Sequence, residues 1–281
     1  MRWEGARQST NIEDRRGLGG GTIIGGGGIG MLILVLLFSF ITGRNPLELM
    51  QQVEEATPPA DSSAPTTGVP ENDPQARFVA AVLGDTEDTW RRVFASQGTE
   101  YEEPVLVLFD GSVRSTCGFA SAAVGPFYCP NDRKVYLDLS FFRDLDRRFG
   151  APGDFAQAYV IAHEVGHHVQ TLLGISERVH RAQSRGSDLT ANALLVRLEL
   201  QADCLAGVWG HHADRKQLLE QGDIEEGLRA AAAIGDDRLQ RESQGYVVPE
   251  SFTHGTSEQR AGWLKRGLQT GDINACDTFN Q

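Results

Sequence analysis

Residues 154–174 read DFAQAYVIAHEVGHHVQTLLG, and the spacing of their side chains decides what kind of domain this chain builds. Phe155, Tyr159, Val160, Ile161, Val169 and Leu172 recur at helical intervals, Asp154 stands where a cap belongs, and Gly174 supplies a stop. One long helix is predicted. On it His163 and His167 lie one turn apart on a single face, so both imidazoles can reach one ion. Glu164 is rotated from His163 by about 100°, which points it beside such an ion, where a general base is wanted.

The residue types suit one chemistry. Neutral imidazoles leave zinc the charge with which it acidifies water towards a pKa of about 7. Glu164 is then placed to take the proton of an attacking water and pass it to the leaving nitrogen of a peptide bond. Two histidines and a glutamate also occur on ordinary polar helix faces, so the reading needs a third ligand and an open position. The run LELQAD at 198–203, on a second predicted helix, offers the third ligand and a partner for a ligand histidine. Glu199 is the candidate third ligand. Asp203, one turn later, can accept a hydrogen bond from the outer nitrogen of a ligand histidine. Leu194, Leu195, Leu198, Leu200 and Leu205 surround the pair, and in such a setting an unpaired carboxylate is too costly for a merely solvated acidic face.

Working outward, the 281 residues suffice for one catalytic domain and something smaller. Acidic residues outnumber basic ones 38 to 26, a formal charge of −12, which removes the electrostatic footprint of a nucleic-acid binder. Between Leu18 and Thr42 the only polar side chains are the hydroxyls of Thr22, Ser39 and Thr42, and about 20 such residues span a bilayer core. An uncleaved transmembrane helix over 18–42 is therefore expected, in preference to a signal peptide, since no small-residue cleavage site comes after it. Arg2, Arg7, Arg15 and Arg16 precede it and only Arg44 lies between it and Arg77, which predicts a cytoplasmic segment 1–17 and an extracytoplasmic remainder, in the periplasm or at the cell exterior. Gly21 to Gly30 contain small-residue spacings able to pair two such helices into a homo-oligomer. Residues 43–73 read as a Pro-, Ser- and Thr-rich linker.

The folded domain is then 74–281. Residues 76–96 have helical spacing with a break expected at Gly84-Asp85, residues 104–109 read as a buried strand, and 119–124 and 135–139 read as further strands. Most of the chain beyond Ser140 is helical, an α+β pattern of a small sheet succeeded by helices. Four cysteines stand on the predicted oxidising side, and Cys117 with Cys129 and Cys204 with Cys276 is the favoured pairing of three.

Glu199-x-x-x-Asp203 downstream of His163-Glu164-x-x-His167 resembles the gluzincin pattern. A closer likeness covers nearly the whole chain. The opening MRWEGARQSTNIEDRR (1–16), the Gly-rich anchor, FYCPND (127–132), HEVGHHVQ (163–170), ELQADC (199–204) and FTHGTSEQR (252–260) resemble the YpfJ-like family labelled putative neutral zinc metallopeptidase. That resemblance implies a zincin-like domain, Zn2+ as cofactor, a peptide or protein substrate, and a sheet edge near 127–139 that receives it. It also implies an oxyanion-steadying role for His254, which Arg260 joins or leaves for a carboxylate, with Tyr246 a weaker oxyanion donor. His168 faces away from the motif, and His180, His211 and His212 lack ligand spacing. The expected activity is that of a membrane-anchored zinc endopeptidase; the rival reading is a silent zinc-bearing scaffold, which has no need of Glu164.

Overall fold

The computed structural model describes residues 1–17 and 66–280. Its centre is a mixed sheet in the order β2–β1–β3–β7–β6, formed by Thr66–Thr67 (β2), Ile12–Asp14 (β1), Val105–Phe109 (β3), Lys134–Asp138 (β7) and Phe127–Cys129 (β6). Strands β1, β3 and β7 run parallel, with Leu106 opposite Ile12 on one side and Val135 on the other. Strand β6 runs antiparallel to β7 and forms an edge. A hairpin of Ser112–Ser115 (β4) and Gly118–Ser121 (β5) stands apart from it, tied to β6 by the Cys117–Cys129 disulfide. Leu106, Leu108, Val135 and Leu137 are fully buried, as expected of parallel strands covered on their faces.

Helices cover this sheet. Pro74–Ser96 (α1) begins where the Asp73 carboxylate accepts from the Gln75 and Ala76 amides. Ser140–Arg147 (α2) leads to Asp154–Leu172 (α3), Ile175–Gln183 (α4), the long Asp188–Arg215 (α5), Asp223–Ala233 (α6), Asp236–Gln244 (α7) and Ser257–Thr270 (α8). Helix α3 is apolar almost all round and runs through the interior. The expected break in α1 is absent. Gly84 is instead a crossing point, since a Cβ there would lie 2.7 Å from the Arg7 carbonyl oxygen, and the Ser9 amide donates to the Ala80 carbonyl at 2.9 Å. Asp154 is the first residue of α3 rather than its cap, and its carboxylate accepts from the Met1 α-ammonium at 2.7 and 2.8 Å.

Two expectations about placement need correction. The predicted transmembrane helix 18–42, most of the linker 43–73, and the glycines expected to pair two copies lie outside the described residues. Among the described residues no helix is long and apolar enough to cross a membrane. The single-pass arrangement, with 1–17 cytoplasmic and the domain outside, is overturned as well. Residues 1–17 are part of the domain: Glu13 pairs with Val107, the Leu106 amide donates to the Asn11 carbonyl at 2.9 Å, and Ile12 is 1% exposed. One crossing between Gly17 and Thr66 would place β1 and β3 on opposite faces of a bilayer, where they cannot hydrogen-bond. The mixed helix-and-sheet part of the expectation stands, and both cysteine pairs are bonded as favoured.

Because Ile12 is a core side chain of the central sheet, Ile12→Ala is expected to destabilise the domain by roughly 2–5 kcal/mol. Chemical denaturation of the two proteins measures this; an unchanged midpoint would detach residues 1–17 from the fold.

Candidate metal centre and cleft

Val160, His163, Glu164 and His167 occupy positions i, i+3, i+4 and i+7 of α3 and form one stripe on the wall of a cleft. The two imidazoles meet edge to face, with ring centroids 4.8 Å apart. Glu199 arrives from α5 with one carboxylate oxygen 3.2 Å from His163 Nε2 and the other 3.4 Å from His167 Nε2. One donor atom from each of the three residues lies within 4.8 Å of the others. Such close approach of two helices has a local cause. Gly166 sits between the histidines, and a Cβ there would lie 3.0 Å from the Ala202 carbonyl oxygen and 3.2 Å from its Cα. A larger residue would push α5, and Glu199 with it, away from the pair.

The outer nitrogen of each histidine is fixed. His163 donates from Nδ1 to Asp203 at 2.8 Å. Asp203, wholly buried, also accepts from Tyr159 Oη at 2.6 Å and from Arg260 Nε and Nη2 at 2.9 and 3.0 Å. His167 donates from Nδ1 to Gln170 Oε1 at 2.9 Å. Gln170 in turn donates to the Leu198 carbonyl and to Gln201 Oε1, and Gln201 donates to the Cys276 carbonyl at 2.9 Å. Both imidazoles therefore turn Nε2 towards Glu199. Sequence reasoning passed over Tyr159, Gln170 and Gln201. A glutamine three residues after a candidate ligand, in an otherwise apolar run, is the signal that was there to be read.

Electrostatics reflect this burial and pairing. Burial opposes a charge on Asp203, but Arg260 and His163 outweigh it and hold the carboxyl down at about 2. Glu199, buried beside His167 and His163, is likewise held well below the ordinary carboxylate range against the pull of its own desolvation. Burial works against protonation of His163 too, yet Asp203 and Glu199 raise it to about 10. Glu164 differs: burial dominates and pushes its pKa up, the direction required of a group that must both take and return a proton.

The cleft has a volume of 770 Å³ and is lined by Tyr159, His163, Glu164, His167, Glu199, His254 and Arg260, among others. His254 stands in the loop before α8 and keeps about half its side chain exposed. Its Nδ1 lies 3.2 Å from the Asp236 carboxylate, whose other oxygen accepts the amides of Thr253, His254 and Gly255, so the loop is built around Asp236. Arg260 is 3% exposed and spends its guanidinium on Asp203, Tyr159 and the Ile234 carbonyl. Tyr246 is exposed and does not line the cleft. His168 lies on the far side of α3, accepting from Tyr128 and donating to the Glu102 carbonyl, and burial lowers its pKa. His211 bonds the Leu268 carbonyl away from the cleft.

A mixed helix-and-sheet protein with two imidazole nitrogens and a carboxylate converging on a buried point, with open cleft on one side, has the donor set of a catalytic zinc site. The match to known proteins is specific: the family described as "Putative neutral zinc metallopeptidase" matches residues 1–279, and this chain belongs to it. The family's name implies zinc. The chain is 49% identical over 290 residues to the uncharacterized protein YpfJ of Escherichia coli (strain K12), covering 100% of this chain and 99% of that protein. It is 41% identical over 251 residues to the uncharacterized protein Mb2605 of Mycobacterium bovis, covering 85% of this chain and 82% of that one. No solved structure matches.

Removing the partner of a ligand histidine typically lowers metal affinity by about 10–100-fold, and Gln170→Ala is expected to do so here while the fold is retained. Competition with a chelator of known affinity measures it. Because His163 is raised to about 10 in the metal-free chain, a bound metal must displace its proton at neutral pH. Affinity should therefore fall as pH falls, and calorimetry in buffers of different ionisation enthalpy should detect proton release.

Proposed function

We propose that this chain is a zinc-dependent endopeptidase, with His163, His167 and Glu199 as the metal ligands, Asp203 holding His163, and Glu164 as general base. The observation that carries the reading is the convergence of the three donors on a cleft whose wall also carries a buried, easily protonated glutamate one position after the first histidine. Zinc bound there supplies a Lewis acid that polarises the scissile carbonyl and makes water acidic.

The chain's own residues do the rest. The exposed edge of β6, whose Phe127 and Tyr128 line the cleft, receives an extended peptide by adding a strand to the sheet. Glu164 takes the proton of a water as its oxygen bonds to the carbonyl carbon. His254, beside Asp236 at Nδ1, donates from Nε2 to the oxyanion that develops when its ring carries a proton on both nitrogens. Glu164 then returns the proton to the amide nitrogen as the carbon–nitrogen bond breaks, which leaves an amine and a carboxylate.

With unfolded protein as substrate, Glu164→Gln is expected to keep stoichiometric zinc and to lose hydrolysis by at least about 10²–10⁴-fold. Equal turnover by the mutant protein would overturn the mechanism. His254→Ala is expected to lower kcat by about 10²–10³-fold with a small change in KM, and a wild-type kcat would remove His254 from the reaction. Glu199→Ala should lose the metal itself, which elemental analysis of the purified protein reads directly.

A further inference from the structure

We propose that the C-terminal segment 273–280 is a strap that sets zinc affinity from a distance: its Cys276 carbonyl, acting through Gln201 and Gln170, selects the form of His167 that binds metal. The inference rests on the metal reading of the site, and it assigns positioning roles to Gln201 and to the Cys204–Cys276 disulfide.

An imidazole that gives Nε2 to a metal must carry its one remaining proton on Nδ1. Nothing in His167 itself makes that choice. Its Nδ1 faces Gln170, an amide that presents an acceptor in one orientation and a donor in the other. Turned about, Gln170 would donate to Nδ1 and force the proton onto Nε2, where zinc is to bind. Two groups hold it the productive way. The Leu198 carbonyl accepts from Gln170 Nε2 at 2.7 Å, and Gln201 Oε1 accepts from the same nitrogen at 3.1 Å. Gln201 is another amide that could turn, and its direction is fixed by the Cys276 carbonyl, which accepts from Gln201 Nε2 at 2.9 Å and can never donate. One backbone carbonyl on the C-terminal segment thereby gives the row a single polarity from Cys276 to His167. His163 needs no such help, because its Nδ1 faces Asp203, a carboxylate paired with Arg260 that can only accept.

Burial makes this polarity matter. Gln170, Gln201 and Cys276 are all buried, so no bulk water stands ready to replace a lost partner. The strap, a short 3-10 turn at Ile273–Cys276 and the irregular chain after it, is held by one face of α5. Arg197, Gln201 and Cys204 stand there at i, i+4 and i+7. The Arg197 carbonyl accepts from Thr278 Oγ1 at 2.6 Å, and its guanidinium donates to the Phe279 carbonyl at 3.2 Å. Cys204 supplies the covalent tie, and it bonds the very residue whose carbonyl heads the row.

Zinc dissociation constants, measured on the full chain by competition with a chelator of known affinity, test the strap. Four proteins are compared: wild type, Gln201→Met, the pair Cys204→Ala with Cys276→Ala, and all three changes together. Gln201→Met and the cysteine pair are each expected to weaken zinc about tenfold, the low end of what losing a histidine's partner costs. Because both act along one row, the combined protein should be weakened about as much as either alone, whereas independent effects would multiply to about a hundredfold and overturn the strap. Wild-type affinity in Gln201→Met would overturn it too, and that variant fills similar space and keeps the disulfide should the cysteine changes prevent folding. A disulfide that only stabilises the fold would lower the denaturation midpoint of the zinc-free chain and leave the zinc constant unchanged, which is a third overturning result. The readout is metal and not turnover. The expected zinc constants in a chain that cleaves no protein would keep the strap and sink the peptidase reading. Zinc lost in Glu199→Ala but held normally in Gln201→Met would keep the metal site and sink the strap.

Discussion

Asp203 is a carboxylate with no exposure to water, and three helices are arranged to satisfy it. Tyr159 and His163 come from α3, Arg260 comes from α8, and Asp203 itself sits on α5. A buried charge missing any of these partners is severely destabilising, commonly by about 3–5 kcal/mol for a broken buried pair, so the network admits one mutual placement of the helices. That placement carries the candidate metal centre with it. His163 is both a member of the network and a candidate ligand, and Glu199 is one turn from Asp203 on the same helix.

The network works only because the helices are unusually close, and glycine makes them so. Gly166 brings α5 onto α3, while a Cβ on Gly207 would lie 2.2 Å from the Leu264 carbonyl oxygen and one on Gly267 would lie 2.0 Å from that of Cys204. Helix α5 is thus gripped on two sides by backbone contact. The disulfide from Cys204 to Cys276 closes the assembly, and the Cys276 carbonyl it positions braces Gln201, Gln170 and finally His167. Each candidate ligand histidine is therefore braced by a different part of the chain: His163 by α8 through Asp203, and His167 by the C-terminal segment through Gln170 and Gln201.

Charge balance gives this arrangement a chemical purpose. Glu164, Glu199 and Asp203, all buried or nearly so, lie about His163, and Arg260 neutralises Asp203 through two hydrogen bonds. Glu164 is then left as the carboxylate whose protonation the site can change, because burial already favours its neutral form.

The local sequence determined a good deal: helix α3 with His163, Glu164 and His167 on one stripe, the second helix carrying Glu199 and Asp203, and the strands near 105–109 and 134–138. These are legible because apolar periodicity and capping are set within a few residues of the chain. The partnership of Arg260 with Asp203, the bracing of His167 by Gln170, the role of Gly166 as a helix contact, and the continuity of α1 through Gly84 were decided only by tertiary structure. For Arg260, Gly166 and Gly84 the partner is distant in sequence, and Gln170, though close to His167, is oriented by Leu198 and Gln201 on another helix. Residues 1–17 show the same limit most plainly. Arginines beside an apolar stretch argue for a segment on the far side of a membrane, whereas the hydrogen bonds of β1 to β3, some ninety residues on, place it inside the domain. Hydropathy describes a segment against solvent, and it carries no information about which strand will pair with which.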